Sequence, residues 1–198
     1  MKIVIIGATG TIGKHVANAL TPNHDIIRVG SKTGDYQIDI KDTDSITNLF
    51  KQIGSFDALI CTTGDAHFGP LNKTTDADFR VSVNSKLMGQ VNLVLIGQHY
   101  INPKGSFTLT SGSLAEDPVV TGASASACNG AINGFVTAAA IELANGVRIN
   151  AVAPSVVEES PGYFPFFTGY IPVSMHRVAQ AYVKSVSGAQ TGQVYKVV

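Results

Sequence analysis

The sequence predicts an α/β fold, a doubly wound parallel sheet with helices on both faces. Three observations lead there. Short apolar runs rich in β-branched residues, of the kind that read as strands buried on both faces, alternate with longer stretches of helical periodicity. Glycines stop several of these runs abruptly. No linker, repeat or low-complexity segment divides the 198 residues, so one domain over 1–198 is expected.

The elements follow in order. Residues 2–6 (KIVII) read as a buried strand stopped by Gly7, and 11–20 as a helix ending near Thr21-Pro22. A strand at 25–29 ends at Gly30, and a shorter one is expected at 36–40. Residues 42–53 are helical, opened by Asp42 or Thr43 as a cap. A strand at 56–61 ends before Gly64, and a long helix is expected over 76–100. Residues 105–110 form a strand, 124–144 a helix rich in Ala, Ser and Gly, and 147–152 another strand. The proline- and aromatic-rich stretch 155–172 reads as an irregular loop with short helical pieces. A helix at 174–186 and a strand at 193–197 complete the alternation, which implies a parallel sheet covered on both faces.

Composition narrows the functions. The chain is 44% apolar and 14% charged, with 20 glycines, so a large core and tight turns are expected. Fourteen Lys+Arg balance fourteen Asp+Glu, which leaves no electrostatic case for nucleic acid or an anionic membrane. Cys61 and Cys128 lie far apart without a CxxC spacing, so neither a metal site nor a disulfide framework is indicated. A free-thiol, cytoplasmic protein is the expectation. The opening MKIVIIGATG does not read as a secretory signal. No apolar run approaches the roughly 20 residues of a membrane span. The expected partner is a small molecule.

The first turn carries chemistry. Gly7, Gly10 and Gly13 sit between the first strand and the first helix, in the run Gly7-Ala8-Thr9-Gly10-Thr11-Ile12-Gly13. One glycine permits the sharp turn, one the approach of backbone to a pyrophosphate, one the close packing of helix on sheet. The free N–H groups at the helix start then face phosphate. This is the Rossmann arrangement for a dinucleotide. The end of the second strand tests which dinucleotide. An acid there would bond the ribose 2′-hydroxyl of NAD(H) and repel a 2′-phosphate. The stretch 28–33 holds none, and Ser31, Lys32 and, if it faces the site, Arg28 are candidates for a 2′-phosphate. NADP(H) is therefore favoured, with NAD(H) as the alternative.

Four segments carry a family resemblance. Asp57-Ala-Leu-Ile-Cys61-Thr62-Thr63-Gly64 resembles the fourth-strand motif of the short-chain dehydrogenase/reductase family, usually D-V-L-V-N-N-A-G. Asp39-Ile40 resembles its adenine-contacting pair, 142–154 (ELANGVRINAVAP) its run into the sixth strand, and Thr191-Gly-Gln its entry to the last strand. The resemblance covers nearly the whole chain. It implies seven strands in the order 3-2-1-4-5-6-7. It also implies an adenosine ribose lined by Cys61, Thr62, Thr63 and Gly64, and a nicotinamide met by backbone after Pro154, at Val156 and Val157.

The catalytic signature of that family departs here. Its members reduce carbonyls with Ser, Tyr and Lys, the last two four residues apart on the helix after the fifth strand. Aligned on Gly134-Phe135, that helix places Ala125 at the tyrosine position and Asn129 at the lysine position. Gly112 falls at the serine position, flanked by Ser111 and Ser113. Lys86, three residues before Gly89, stands where the family has an asparagine, so it is a candidate to replace the lost lysine in space or else a surface residue. Tyr163, Tyr170 and His67 are further candidates for a missing proton donor.

Two readings follow. One is an NADP(H)-dependent oxidoreductase acting on a small apolar carbonyl, quinone or alkene, with Lys86, Ser111 and Ser113 in a non-standard active site. The other is a catalytically inactive NADP(H)-binding redox sensor or regulator. The small-residue helix at 124–144, with the resemblance, implies a homodimer or homotetramer.

Overall fold

The computed structural model describes Met1–Val198. Seven parallel strands form one sheet in the order β3-β2-β1-β4-β5-β6-β7. They are β1 (Lys2–Ile6), β2 (Asp25–Gly30), β3 (Tyr36–Gln37), β4 (Phe56–Cys61), β5 (Ile101–Thr110), β6 (Arg148–Pro154) and β7 (Val194–Val197). The sheet reverses its winding between β1 and β4, the place where open α/β sheets form a crevice beyond the carboxyl ends of their strands.

Strand alternation sorts the core into two layers. On one face Ile3 and Ile5 pack against Val16, Ala17 and Leu20 of α1 (Thr11–Leu20) and Val178 and Tyr182 of α6 (Met175–Ser187). On the other, Val4 and Ile6 share a core with Ile46, Leu49 and Phe50 of α2 (Thr43–Ile53). Leu93 of α4 (Met88–Gly97) and Ile132 and Val136 of α5 (Ala123–Glu142) complete that second layer. Asp42 caps α2 through its carboxylate on the Asp44 N–H. No helix is long and apolar enough to cross a membrane.

Three expected boundaries move. β3 is only Tyr36–Gln37, because after Ile38 the Asp39 carboxylate takes the Lys41 N–H and turns the chain toward α2. β5 begins at Ile101, before the bulge at Phe56/Ala58 and the left-handed residue Lys104 (φ 63°). The single helix expected over 76–100 is three pieces: α3 (Asp76–Ser82), a π-turn at Val83–Leu87, and α4, which stops at Gly97.

That π-turn is locked to the sheet by one side chain. The β4–β5 ladder ends at Ile60 and Thr108, and beyond it the strands diverge. The fully buried Gln90 amide takes over their pairing. Its Nε2 donates to the carbonyls of Thr110 and Lys86, both at 2.9 Å, and its Oε1 accepts the Thr110 N–H at 2.8 Å. The orphaned Cys61 carbonyl is met by the Thr110 hydroxyl, which also bonds the buried Tyr182 hydroxyl. Replacing Gln90 by the similarly sized Leu leaves these backbone groups unpaired. Gln90→Leu is expected to lower unfolding stability by roughly 2–4 kcal/mol, read from urea denaturation.

Candidate active site

The glycine turn is held by backbone geometry. Gly7 has φ +83°, and its N–H and that of Ala8 both donate to the Val29 carbonyl. A Cβ on Gly13 would lie 2.0 Å from the Gly7 carbonyl oxygen, so only glycine lets α1 start this close to β1. The Thr62 hydroxyl, at the end of β4, donates to the Ile6 and Gly7 carbonyls at 3.1 Å each. Helix α1 has no side-chain cap and no acid in its first turn. The N–H groups of Thr11, Ile12 and Gly13 have no backbone acceptor, since the first intrahelical bond is Lys14 to Gly10. Thr9, Gly10 and Thr11 are exposed around them. Unpaired donors at a helix N-terminus form an anion site.

A polar cavity of about 500 Å³ opens to one side of this turn. Gly7, Ser31, Asp39, Ile40 and Thr63 line it, as the sequence anticipates. Three anticipated residues stand elsewhere. Arg28 is drawn to the far end of α1, where its guanidinium donates to the Thr21 hydroxyl at 3.1 Å. Lys32 is exposed and does not line the cavity. Cys61 is fully buried in the core, and burial pushes its thiol up to about 12, so it presents no thiolate. Lys41, Ser45 and Asp65 line the cavity without having been singled out. Lys41 had a signal, since it follows the Asp39-Ile40 pair directly.

A second cavity, of about 340 Å³, lies beyond Gly64 and Asp65. Ile12, Pro154, Val156 and Val157 form one wall. Lys86, Ser111, Gly112, Ser113, Ala125 and Asn129 are brought together in it, although they come from three segments of the chain. The π-turn carries Lys86 to this place. Gly64, at φ +143°, lets it approach, because a Cβ there would sit 2.8 Å from the Lys86 Cα. The Lys86 ammonium donates to the Ser111 carbonyl at 3.3 Å. Dense protein surrounds it apart from the cavity opening, and burial pushes its pKa below the ordinary lysine value. The hydroxyls of Ser111 and Ser113 and the Oδ1 of Asn129 are buried and have no partner. A Cβ on Gly112 would meet the Asn129 Nδ2 at 2.8 Å, so the Asn129 amide occupies the space that a side chain at 112 would need.

The aromatic loop forms one side of the cavity. Tyr163 and Phe167 line it, and the Phe68 ring packs in tilted contact, 5.9 Å between centroids, against both Tyr163 and Phe166. Glu159 ties this loop to α1 through Lys14 (3.1 Å) and His15 (2.8 Å), which hold its carboxyl below the usual range. Tyr170 lies outside, its hydroxyl donating to the Asp117 carbonyl. His67 lies outside as well. The loop bearing it is pinned by Ser82 and Ser124, and its ring packs over Gly69.

Comparison with known proteins shows the family. A family model described as enoyl-(acyl carrier protein) reductase matches residues 8–163. The chain belongs to the short-chain dehydrogenase/reductase family. Its members are oxidoreductases. The protein lin1944 from Listeria innocua is 48% identical over the whole of both chains, with a TM-score of 0.99. A small-chain dehydrogenase crystallised in complex with NADPH is 28% identical, covering 100% of this chain and 96% of its own, with a TM-score of 0.89. Against the short-chain dehydrogenase/reductase pattern, Ala125 and Asn129 stand on the α5 face that borders the second cavity.

A partly buried ammonium whose surroundings disfavour its charge opposes folding while it is charged. With its folded pKa below the unfolded value, Lys86 lowers stability at neutral pH, and that cost disappears as pH rises through the folded value toward about 10.4. Lys86→Met is expected to raise the melting temperature of the ligand-free protein at pH 7. The gain should shrink in the same melts repeated at progressively more alkaline pH.

Proposed function

We propose that this chain is an NADP(H)-dependent oxidoreductase of short-chain dehydrogenase/reductase type with a non-standard active site. One observation carries the reading: two cavities meet at Asp65 on either side of an uncapped, glycine-built helix start. The donors of Thr11, Ile12 and Gly13 suit a pyrophosphate. Asp39, Ile40 and Thr63 suit the adenosine half. Ser31 and Lys41 suit a 2′-phosphate, with Lys32 at the rim. The wall of Ile12, Pro154, Val156 and Val157 suits the nicotinamide, which when bound supplies or accepts a hydride.

The chain's own groups would then act on the substrate. Phe68, Tyr163 and Phe167 exclude water and receive the apolar part of a small carbonyl compound, quinone or activated alkene. Ala125 offers no proton. The Lys86 ammonium is the cavity's cation, so it would steady negative charge on a substrate oxygen and deliver the proton there. Ser111 and Ser113 would orient that oxygen. The Ala125 position also favours a second reading, a dinucleotide-binding sensor without turnover. A screen of carbonyl, quinone and enone acceptors separates the two: oxidation of NADPH by one of them supports the enzyme.

Titration with NADPH and NADH side by side, followed by nucleotide fluorescence, tests the cofactor assignment. Micromolar NADPH binding with NADH clearly weaker is expected. Lys41→Ala should weaken NADPH about ten-fold, or 1.4 kcal/mol, and leave NADH unchanged. Absence of binding by either nucleotide would overturn the reading.

A homodimer or homotetramer is part of the proposal. Gly130 and Gly134 of α5 face open space, Ile141 is 89% exposed at the end of the same helix, and Val81, Met88 and Leu95 are exposed on α3 and α4. Sedimentation velocity should give at least twice the 20.7 kDa of one chain, and a monomer at micromolar concentration would contradict it.

A further inference from the structure

A lysine ammonium has three N–H donors and no acceptor. At Lys86 one donor goes to the Ser111 carbonyl, and no other protein group takes the remaining two. None of the molecule's ion pairs includes Lys86. The acids nearest the cavity are otherwise engaged: Glu159 with Lys14 and His15, and Asp65 with Ser85, whose hydroxyl accepts the Asp65 backbone N–H at 2.9 Å and donates to its carboxylate at 3.4 Å. The neighbouring thiols of Cys61 and Cys128 are kept protonated by burial. A positive charge is thus set into the cavity wall with no counter-ion. Around it the Ser111 and Ser113 hydroxyls and the Asn129 Oδ1 are also unpartnered.

Unpaired buried polar groups cost free energy, and an uncompensated charge costs more. A simple ketone would engage one of the two free Lys86 donors and leave the charge unmatched. A substrate with an anionic oxygen on the carbon next to its carbonyl would engage both. We propose that Lys86, with Ser111 and Ser113, holds the carboxylate of a 2-oxo acid or of the corresponding 2-hydroxy acid. The inference rests on the oxidoreductase reading above and narrows its substrate. One ammonium donor meets the carboxylate and the other meets the adjacent carbonyl oxygen. The hydroxyls of Ser111 and Ser113 donate to the remaining carboxylate oxygen. The rest of the acid lies against Phe68, Tyr163 and Phe167.

Oxamate, an unreactive isostere of a 2-oxo acid, and its neutral amide oxamide distinguish the charge from the shape. Binding of each is measured by calorimetry, with and without saturating NADPH. Oxamate is expected to bind at least ten-fold more tightly than oxamide. Lys86→Met should abolish the difference, Lys86→Arg should keep part of it, and Ser113→Ala should reduce it. Equal binding of the two probes overturns the inference, as does unchanged oxamate binding in Lys86→Met. If Lys86→Met weakens NADPH as strongly as it weakens oxamate, the lysine serves the dinucleotide and the inference also fails. Oxamate preference in a protein that binds no NADPH would support the carboxylate site while overturning the dinucleotide reading.

Discussion

The active face depends on a mismatch between two strands. β4 and β5 stop pairing at Ile60 and Thr108, and their last backbone groups need other partners inside the core. The Gln90 amide and the Thr110 hydroxyl supply them. Because Gln90 also takes the Lys86 carbonyl, the same amide that closes the sheet's end holds the π-turn at its carboxyl edge. Strand divergence, the helix irregularity and the position of Lys86 are therefore one structural event. π-turns inside helices commonly mark functional places, and this one lies against the second cavity.

Close packing does the remaining positioning. Gly13 brings α1 against the Gly7 carbonyl, Gly64 lets the π-turn reach the loop after β4, and Gly112 makes room for Asn129. Each contact would fail with a single added methyl group. The Asn129 amide fills the space beside Gly112, and the cation of the second cavity, Lys86, comes from the π-turn. That cavity holds a partly buried ammonium whose pKa is pushed down by desolvation, a perturbation of the kind that functional sites carry.

The loop over the cavity is joined to the helix that follows the glycine turn. Glu159 bridges to Lys14 and His15, one turn into that helix from its uncapped N-terminus. Phe68 ties the same loop to the chain leaving β4 through its rings at 5.9 Å. Both attachments are partly exposed, so they align the loop without fixing it rigidly.

Much of this was legible in sequence, because the signals are local. Apolar runs, glycine stops and helical spacing depend on near neighbours, and they specified the strands, most helices and the glycine turn after β1. The likeness to family segments supplied the strand order. Cavity membership was only partly legible. Arg28 and Lys41 are both cations near the second and third strands, and which one faces the cavity depends on strand pleat and on the Thr21 hydroxyl that captures Arg28. Lys32 and Cys61 have suitable chemistry in suitable segments, yet one is directed to solvent and the other into the core. No sequence signal marks Gln90, since its partners lie four and twenty residues away on different elements. The residue types and the fold class were determined by the sequence alone. Which of those residues meet, and that Lys86 stands beside Ser111 without a counter-ion, was decided only by tertiary packing, because those contacts are made across the sheet and between helices.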